Sequence, residues 1–514
     1  MTQEKLNKRF PWELMMIFVT VFQVITAVPV IFGDEFSLKA AALYGAYIVL
    51  EWVYFVFASA IGCQNNFELE TIGFLFSGIG MTICASGCSV DYAVKQGISI
   101  VLGLITFIIL LCILRRTDIV MKLRMPVAVA AMGLLAVNLA LAEYKNGALN
   151  WITIKGFSIQ PSEFVKLAFI FVGAASLDKL QSTKSLTKYL IFSFTCVGAL
   201  FLMRDFGTAL IFFFTFIIIA FMRSGDIRTI ALVCVAAALG AIMIIYFRPT
   251  VAARFSTYRH IWDLMNEEGM QQTRVLIYSA SGGLFGLGIG AGKLMYIFAA
   301  TTDLVFGMLC EEWGMLVALT IVLSYVFILL YAIKSARTTR SAFYAISACA
   351  AAGLMLFQAG LNIFGVTDIV PLTGVTLPFI SRGGSSMICS WGLLAFIKAA
   401  DIRTYPKLSR TILPDHPLYP PDVRIGKPRT QRRNFTVPTI EGNPVNASKR
   451  TTKPAAKNPQ VKTTASKSNT KDIPVSRQRK AAASTGSGKN VTVRRASKDI
   501  PISKKSSSNG GAKR

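Results

Sequence analysis

Histidine is nearly absent from this 514-residue chain, which holds only His260 and His416. A Ser-His-Asp triad or a His/Cys zinc site therefore has too few parts. Acidic residues are scarce as well, with 27 Asp and Glu against 54 Lys and Arg, and charged residues of both signs make up only 16% of the chain. A soluble domain would carry about 25%. Paired cysteine motifs are missing too. The nine cysteines, at 63, 84, 88, 112, 196, 234, 310, 349 and 389, are odd in number, lack C-x-x-C spacing and lie almost all in apolar runs. They read as free thiols buried in a membrane, not as a disulfide framework.

What the chain does have is apolar mass: 53% hydrophobic residues and a mean hydropathy of +0.52. Its net charge of +27 is unevenly placed. Residues 401–514 hold 26 Lys and Arg against 6 Asp and Glu, or +20, which leaves +7 for the first 400 residues. This describes a nearly neutral, oily body with a basic tail. It does not describe a basic globular domain that binds nucleic acid, and no nucleic-acid partner is expected.

A bilayer core takes about 20 apolar residues per helix. Twelve runs meet that need, near 12–33, 38–62, 69–89, 96–114, 124–143, 162–178, 187–203, 206–222, 229–247, 305–333, 343–364 and 383–399. The expected fold class is an all-α polytopic membrane protein of about twelve transmembrane helices. The first run is too long, and too closely followed by the second, to read as a cleavable signal. Basic residues in the short segments 5–9, 115–124, 178–188, 223–228 and 334–340 place those segments inside, and an even span count then puts both termini in the cytoplasm. Beyond residue 403 the composition turns to Lys, Arg, Ser, Thr, Pro and Ala, which cannot bury enough apolar area to offset chain entropy. That segment is expected to be a disordered basic cytoplasmic tail, suited to anionic lipid or to cytoplasmic protein partners.

Ionisable groups at membrane depth are costly, so each marks a candidate site. Glu163 and Lys166, just after Gln160-Pro161-Ser162, are three apart and can pair on one helix face; a purely structural ion pair is the plain alternative. Arg204-Asp205-Phe206-Gly207 interrupts an apolar stretch and marks a tight reversal at the outer face. The loop 248–304 carries Arg248, Arg254, Arg259 and Arg274, cations that could grip a pyrophosphate. Its glycine-rich run 282–292 lets backbone approach another surface closely and lacks the phosphate-loop pattern. Asp303 stands where the chain re-enters the bilayer. A carboxylate there can be partly desolvated and act as a base, or simply cap the next helix. Glu311 and Glu312 lie two to three turns deeper and should not face lipid. The segment 371–386 has two prolines, three glycines and several hydroxyls, and irregular backbone at membrane depth must line protein or a wet cavity.

Together these segments resemble the SEDS family, the shape, elongation, division and sporulation proteins such as RodA, FtsW and SpoVE. The resemblance spans roughly 145–400. It rests on Gly147-Ala148-Leu149-Asn150-Trp151, Gln160-Pro161-Ser162-Glu163 with Lys166, Asp205-Phe206-Gly207-Thr208-Ala209, Arg254, the 282–290 stretch, Asp303, Glu311-Glu312-Trp313-Gly314, Gln358 with Asn362, and 371–386. It implies a ten-helix core with two extra N-terminal helices. Three parts follow: N-terminal helices over 1–144, a catalytic core over 145–400 that includes the extracytoplasmic loop 248–304, and the tail over 401–514.

The resemblance further implies a peptidoglycan glycosyltransferase that polymerises lipid II on the outer face of the cytoplasmic membrane, in cell elongation, division or sporulation. Its expected partner is a class B penicillin-binding protein, with divisome or elongasome proteins at the tail. It marks Asp303 as the essential catalytic acid, with Glu163, Lys166 and Asp205 lining the same cavity. Arg254, Gln160, Ser381, Ser385 and Ser386 are further candidates to hold substrate. Lys166 and Arg254, or a divalent cation, would stabilise the leaving diphosphate, and no metal ligand is assigned. A lipid II flippase, a non-catalytic scaffold for the transpeptidase and a general solute transporter are the rival readings. Two departures stand out: Arg382 where the family usually has Tyr, and Asp368 where Gly is common. They could pair at the cavity mouth, or Arg382 could contact diphosphate.

Overall fold

A computed structural model describes residues 12–404 except 34, 63–65, 146–147, 155–156, 178–182, 226, most of 229–256, and 268. Twelve helices are seen among these residues: α1 Trp12–Ile31, α2 Leu38–Gly62, α3 Glu68–Gly87, α4 Val90–Leu114, α5 Thr117–Leu141, α6 Pro161–Leu177, α7 Thr183–Leu202, α8 Phe206–Ser224, α9 Met270–Ser281, α10 Val305–Ala336, α11 Ala342–Val366 and α12 Gly384–Ala400. Eight of them are long and apolar enough to cross a membrane, and 188–202 and α12 are shorter apolar helices. The multi-pass membrane architecture expected from the apolar runs is therefore present. The expected span at 229–247 and the tail beyond 404 lie outside the described residues.

The helices sort into a lipid-facing shell and a core. α1, α2 and α4 expose Phe18, Ile25, Phe57 and Ile109, while most side chains of α3 and α11 and nearly all of α12 are buried. Trp391 of α12 anchors the centre, edge-on to Phe74 of α3 at 4.9 Å, to Phe107 of α4 at 5.7 Å and to Phe379 at 5.6 Å between ring centroids. Such edge-to-face pairs add about 1 kcal/mol each beyond burial.

One end of the bundle gathers the sheet, α9 and the irregular segment 367–383; the other leads to the tail. At the sheet end, 143–159 folds as three antiparallel strands, β1 Glu143–Lys145, β2 Ala148–Ile154 and β3 Phe157–Ile159, in the order β1-β2-β3. Ile152 pairs with Ile159, and Thr153 with Ser158. The Leu149 N–H donates to the Met203 carbonyl at 2.8 Å, which ties the sheet to the α7–α8 turn.

The 371–383 segment dips into the bundle. The Tyr325 hydroxyl donates to the Pro378 carbonyl at 2.6 Å, and Phe379 packs on Phe76. Tyr325 lies about three turns from the end of α10, roughly 16 Å at the helical rise. Gly80 of α3 makes room: a Cβ there would stand 2.7 Å from the Phe379 and Ile380 carbonyls.

At the tail end an ionic network closes the bundle. Lys398 and Glu70 form a salt bridge of 2.7 Å with both side chains fully buried, and Lys398 also donates to the Asn66 carbonyl. Arg403 clasps Asp401 at 2.7 Å and reaches Glu68 at 3.1 Å, while the Tyr331 hydroxyl donates to Asp401. Burial works to raise the Asp401 carboxyl, but the Arg403 hydrogen bonds and charge outweigh it and hold it at about 2. A carboxylate depressed in the folded state contributes stability above its unfolded pKa, near 4, and loses it as pH falls toward 2. Asp401→Asn should therefore cost about 2 kcal/mol at neutral pH. The gap to wild type should narrow between pH 4 and 2 in unfolding measured in detergent.

Candidate active site at the sheet end

Three polar clusters meet around the 371–386 segment. The first is built on Asp205, at the turn between α7 and α8. Arg204 there takes a positive φ of 61°, which completes the expected reversal. Asp205 caps α8 by accepting the Thr208 N–H at 3.1 Å, and its other oxygen accepts from Asn150 Nδ2 at 2.9 Å and Gln160 Nε2 at 3.2 Å. It thus knits β2, the start of α6 and α8 together. The Gln160 N–H donates in turn to Ser385 Oγ at 3.4 Å.

The second cluster is sealed. Lys166 Nζ donates to Glu163 at 2.8 Å and to Gln358 Oε1 at 2.9 Å, and the Lys166 side chain is 1% exposed. The Gln358 amide continues to the Thr376 carbonyl at 2.9 Å, and Thr376 Oγ1 bonds Ser386 Oγ at 2.8 Å. Lys166 is therefore engaged on two sides, as the plain ion-pair reading of these residues anticipates.

The third cluster surrounds Asp303, which is half-buried in the turn before α10. The capping position of that helix is Leu304, not Asp303, and no side chain caps it. Asn362 of α11 donates to both the Asp303 carbonyl, at 2.8 Å, and the Val375 carbonyl, at 2.7 Å. A Cβ on Gly374 would stand 3.5 Å from Asp303 Oδ2. Ser381 Oγ donates to the Thr302 carbonyl at 2.5 Å, and the Arg382 N–H donates to the Thr301 carbonyl at 2.8 Å. The loop bearing Asp303 is thereby gripped by α11 and by the re-entrant segment. Asp368 and Arg382, offered as a pair, point to different partners. Asp368 accepts from Gln272 Nε2 at 3.4 Å, while Arg382 reaches Cys88 and the Tyr92 ring.

Behind this loop the glycine-rich run packs on α10, which opens into one π turn over Leu309–Trp313. The Glu311 carboxylate accepts the N–H groups of Lys293 at 2.7 Å and Leu294 at 2.9 Å; Glu312 accepts from Ser86 of α3 at 3.1 Å. Both acids are buried and face protein, as the sequence requires. Gly286 holds φ +84°, and a Cβ on it would meet the Glu312 carbonyl at 2.3 Å; Gly283 holds φ +56° with open space around it. Gly283→Ala should cost only the left-handed strain, about 1–2 kcal/mol. Gly286→Ala should add overpacking and reach about 3 kcal/mol, read as a larger fall in unfolding temperature in detergent.

The structure thus brings Asp303, Glu163, Lys166, Asp205, Gln160, Ser381, Ser385 and Ser386 to one end of the bundle, linked through one segment. Arg254 lies outside the described residues. Gln358, Asn362 and Asn150, which the sequence names as carriers of the resemblance, act as hubs; Gln96 is a hub the sequence reading passes over, accepting the Gly383 N–H and donating to the Ser381 carbonyl. The signal for Gln96 is an amide inside an apolar helix, a weaker mark than a charge. Among the described residues no three His, Cys, Asp or Glu side chains gather in a way that could hold a metal ion.

Comparison with known proteins gives the family of the chain. A family model described as "Cell cycle protein", FtsW/RodA/SpoVE, matches residues 67–405. Peptidoglycan glycosyltransferase RodA of Mycobacterium tuberculosis is 29% identical over 274 residues, covering 50% of this chain; the chain spans 58% of that relative's length. Probable peptidoglycan glycosyltransferase FtsW of Bacillus subtilis is 30% identical over 294 residues, covering 53% of this chain and 71% of that one. A chain in the solved structure of a peptidoglycan synthase complex that coordinates polymerization and crosslinking shares the fold, with a TM-score of 0.55 at 22% identity over 65% of this chain and 96% of that one. The family match takes in well over half of the sequence and reaches further toward the N-terminus than the 145–400 resemblance. This chain belongs to the FtsW/RodA/SpoVE family, the SEDS proteins.

Proposed function

We propose that this protein polymerises lipid II into glycan strands at the sheet end of the bundle, which faces out of the cell. The observation that carries the reading is the placing of Asp303: a half-buried carboxylate on a loop clamped by Asn362, Ser381 and the Arg382 backbone. A carboxylate so held, partly out of water, suits general base work. Asp303 takes the proton from the 4-hydroxyl of an acceptor GlcNAc. That oxygen attacks C1 of the donor MurNAc with inversion, and undecaprenyl diphosphate leaves. Asp205, Gln160, Ser385 and Ser386 shape the cavity wall through the bonds that join them.

The closed tail end supports chemistry at one face over passage across the membrane. Lys398, Glu70, Asp401 and Arg403 tie α3 and the end of α12 together there, with Tyr331 of α10 bonded to Asp401. A flippase that moved lipid between these helices would have to break this network in every cycle. The basic short loops support cytoplasmic termini. The family match beginning at residue 67 supports α1 and α2 as additions to a ten-helix core. A class B penicillin-binding protein is the proposed partner, in line with this chain's likeness in fold to one chain of a peptidoglycan synthase complex. The purified chain, with and without such a transpeptidase, should convert labelled lipid II to long glycan in detergent, where no membrane sidedness exists. Folded protein that makes no polymer in either preparation would overturn the proposal.

A further inference from the structure

Lys166 is sealed between Glu163 and Gln358, so its ammonium is already engaged and another cation must meet an anion beside the Asp303 loop. Arg382 supplies that cation. Its backbone N–H holds the Thr301 carbonyl, two residues before Asp303, and its side chain is only half-buried. The guanidinium lies 4.9 Å from the centroid of the Tyr92 ring and donates once, to Cys88 Sγ at 3.2 Å, a weak acceptor. Lys95, exposed one turn along α4, places its ammonium 5.2 Å from the same ring. Asp91, on the same stretch of α4, pairs with Lys39. Among the described residues neither Arg382 nor Lys95 forms an ion pair.

Two cations held near one ring repel each other, and an anion within reach of both offsets that repulsion. The guanidinium fork matches two phosphate oxygens, and the ammonium adds a third donor. Tyr92 sits at the first turn of α4, and a half-exposed tyrosine there belongs at headgroup level. We propose that Tyr92, Lys95 and Arg382 form a subsite for a lipid-borne phosphate or diphosphate beside Asp303. Identifying the natural ligand as undecaprenyl diphosphate rests on the proposed function; binding itself needs no turnover.

The test is binding to protein in phosphatidylcholine nanodiscs, titrated separately with undecaprenyl diphosphate and with phosphatidylglycerol. Loss of a charge-assisted bidentate contact should weaken undecaprenyl diphosphate binding by about 10-fold or more in Arg382→Gln. Arg382→Lys should keep part of it, and Lys95→Gln should lose a few-fold. The bond to Thr301 is made by backbone and survives these changes, so unfolding temperatures should match wild type. Loss of phosphatidylglycerol binding alone would keep the subsite and assign it to bulk lipid. Affinities within twofold of wild type for both ligands, in folded variants, would overturn it. If wild-type protein makes no glycan yet Arg382→Gln loses diphosphate binding, the subsite stands and the proposed polymerase activity fails.

Discussion

Asp303→Asn is expected to lower glycan synthesis on purified lipid II by about 10²–10⁴-fold, the usual contribution of a positioned general base. The substitution keeps the size and reach of the side chain but removes its charge and its ability to take a proton, and turns one acceptor oxygen into a donor. The bonds that join this loop to α11 and to the 371–383 segment are made to its backbone carbonyls. Asn362 holds the Asp303 carbonyl, Ser381 the Thr302 carbonyl and Arg382 the Thr301 carbonyl. Expression and unfolding temperature should therefore stay near wild type, and binding of lipid II should fall far less than rate. Normal polymer yield from the folded variant would remove Asp303 from the chemistry. Normal yield from wild type would still be needed to interpret the loss, which is why the two are measured on one substrate preparation.

The helical spans were legible because lipid imposes a crude rule, about 20 apolar residues in a row. The rule erred where charge sits at a helix end. The run expected at 96–114 is a helix from Val90, because Asp91 and Lys95 occupy its first turns at the interface. The run at 124–143 likewise begins at Thr117, with Lys122 and Arg124 inside it. The small sheet went unread, since β2 is one seven-residue strand between turns and its partners have three residues each. In the candidate site, the local pair Glu163–Lys166 was visible from its spacing of three. Contacts distant in sequence were not. Lys398 meets Glu70 across 328 positions, and Gln358 meets Lys166 across 192. Nothing in a single sequence couples such positions, although a lysine near the end of an apolar helix needs a partner somewhere.

Lys166→Met should destabilise the protein by about 3–5 kcal/mol, because it leaves Glu163 charged and buried with no counterion. The damage should spread along a defined route. Gln358 Oε1 loses its donor, and the Gln358 amide is what holds the Thr376 carbonyl and, through Thr376, Ser386. The re-entrant segment that grips the Asp303 loop would loosen at that point, so synthesis should fall with stability. The double variant Glu163→Gln/Lys166→Met removes both charges while keeping the volume, and should recover most of the lost stability. A coupling of about 2–3 kcal/mol between the two positions, measured as unfolding in detergent, is the expected sign of the pair. If Lys166→Met alone unfolds within 1 kcal/mol of wild type, by about the same measure that scores ordinary surface changes, the pair is not held as described. The double variant then separates two roles. Glycan synthesis that returns with stability makes the ion pair a brace for the cavity wall. Stability that returns without synthesis means that Glu163 or Lys166 meets the substrate once the cavity opens, since only a group needed beyond its neighbours stays missing after the fold is restored.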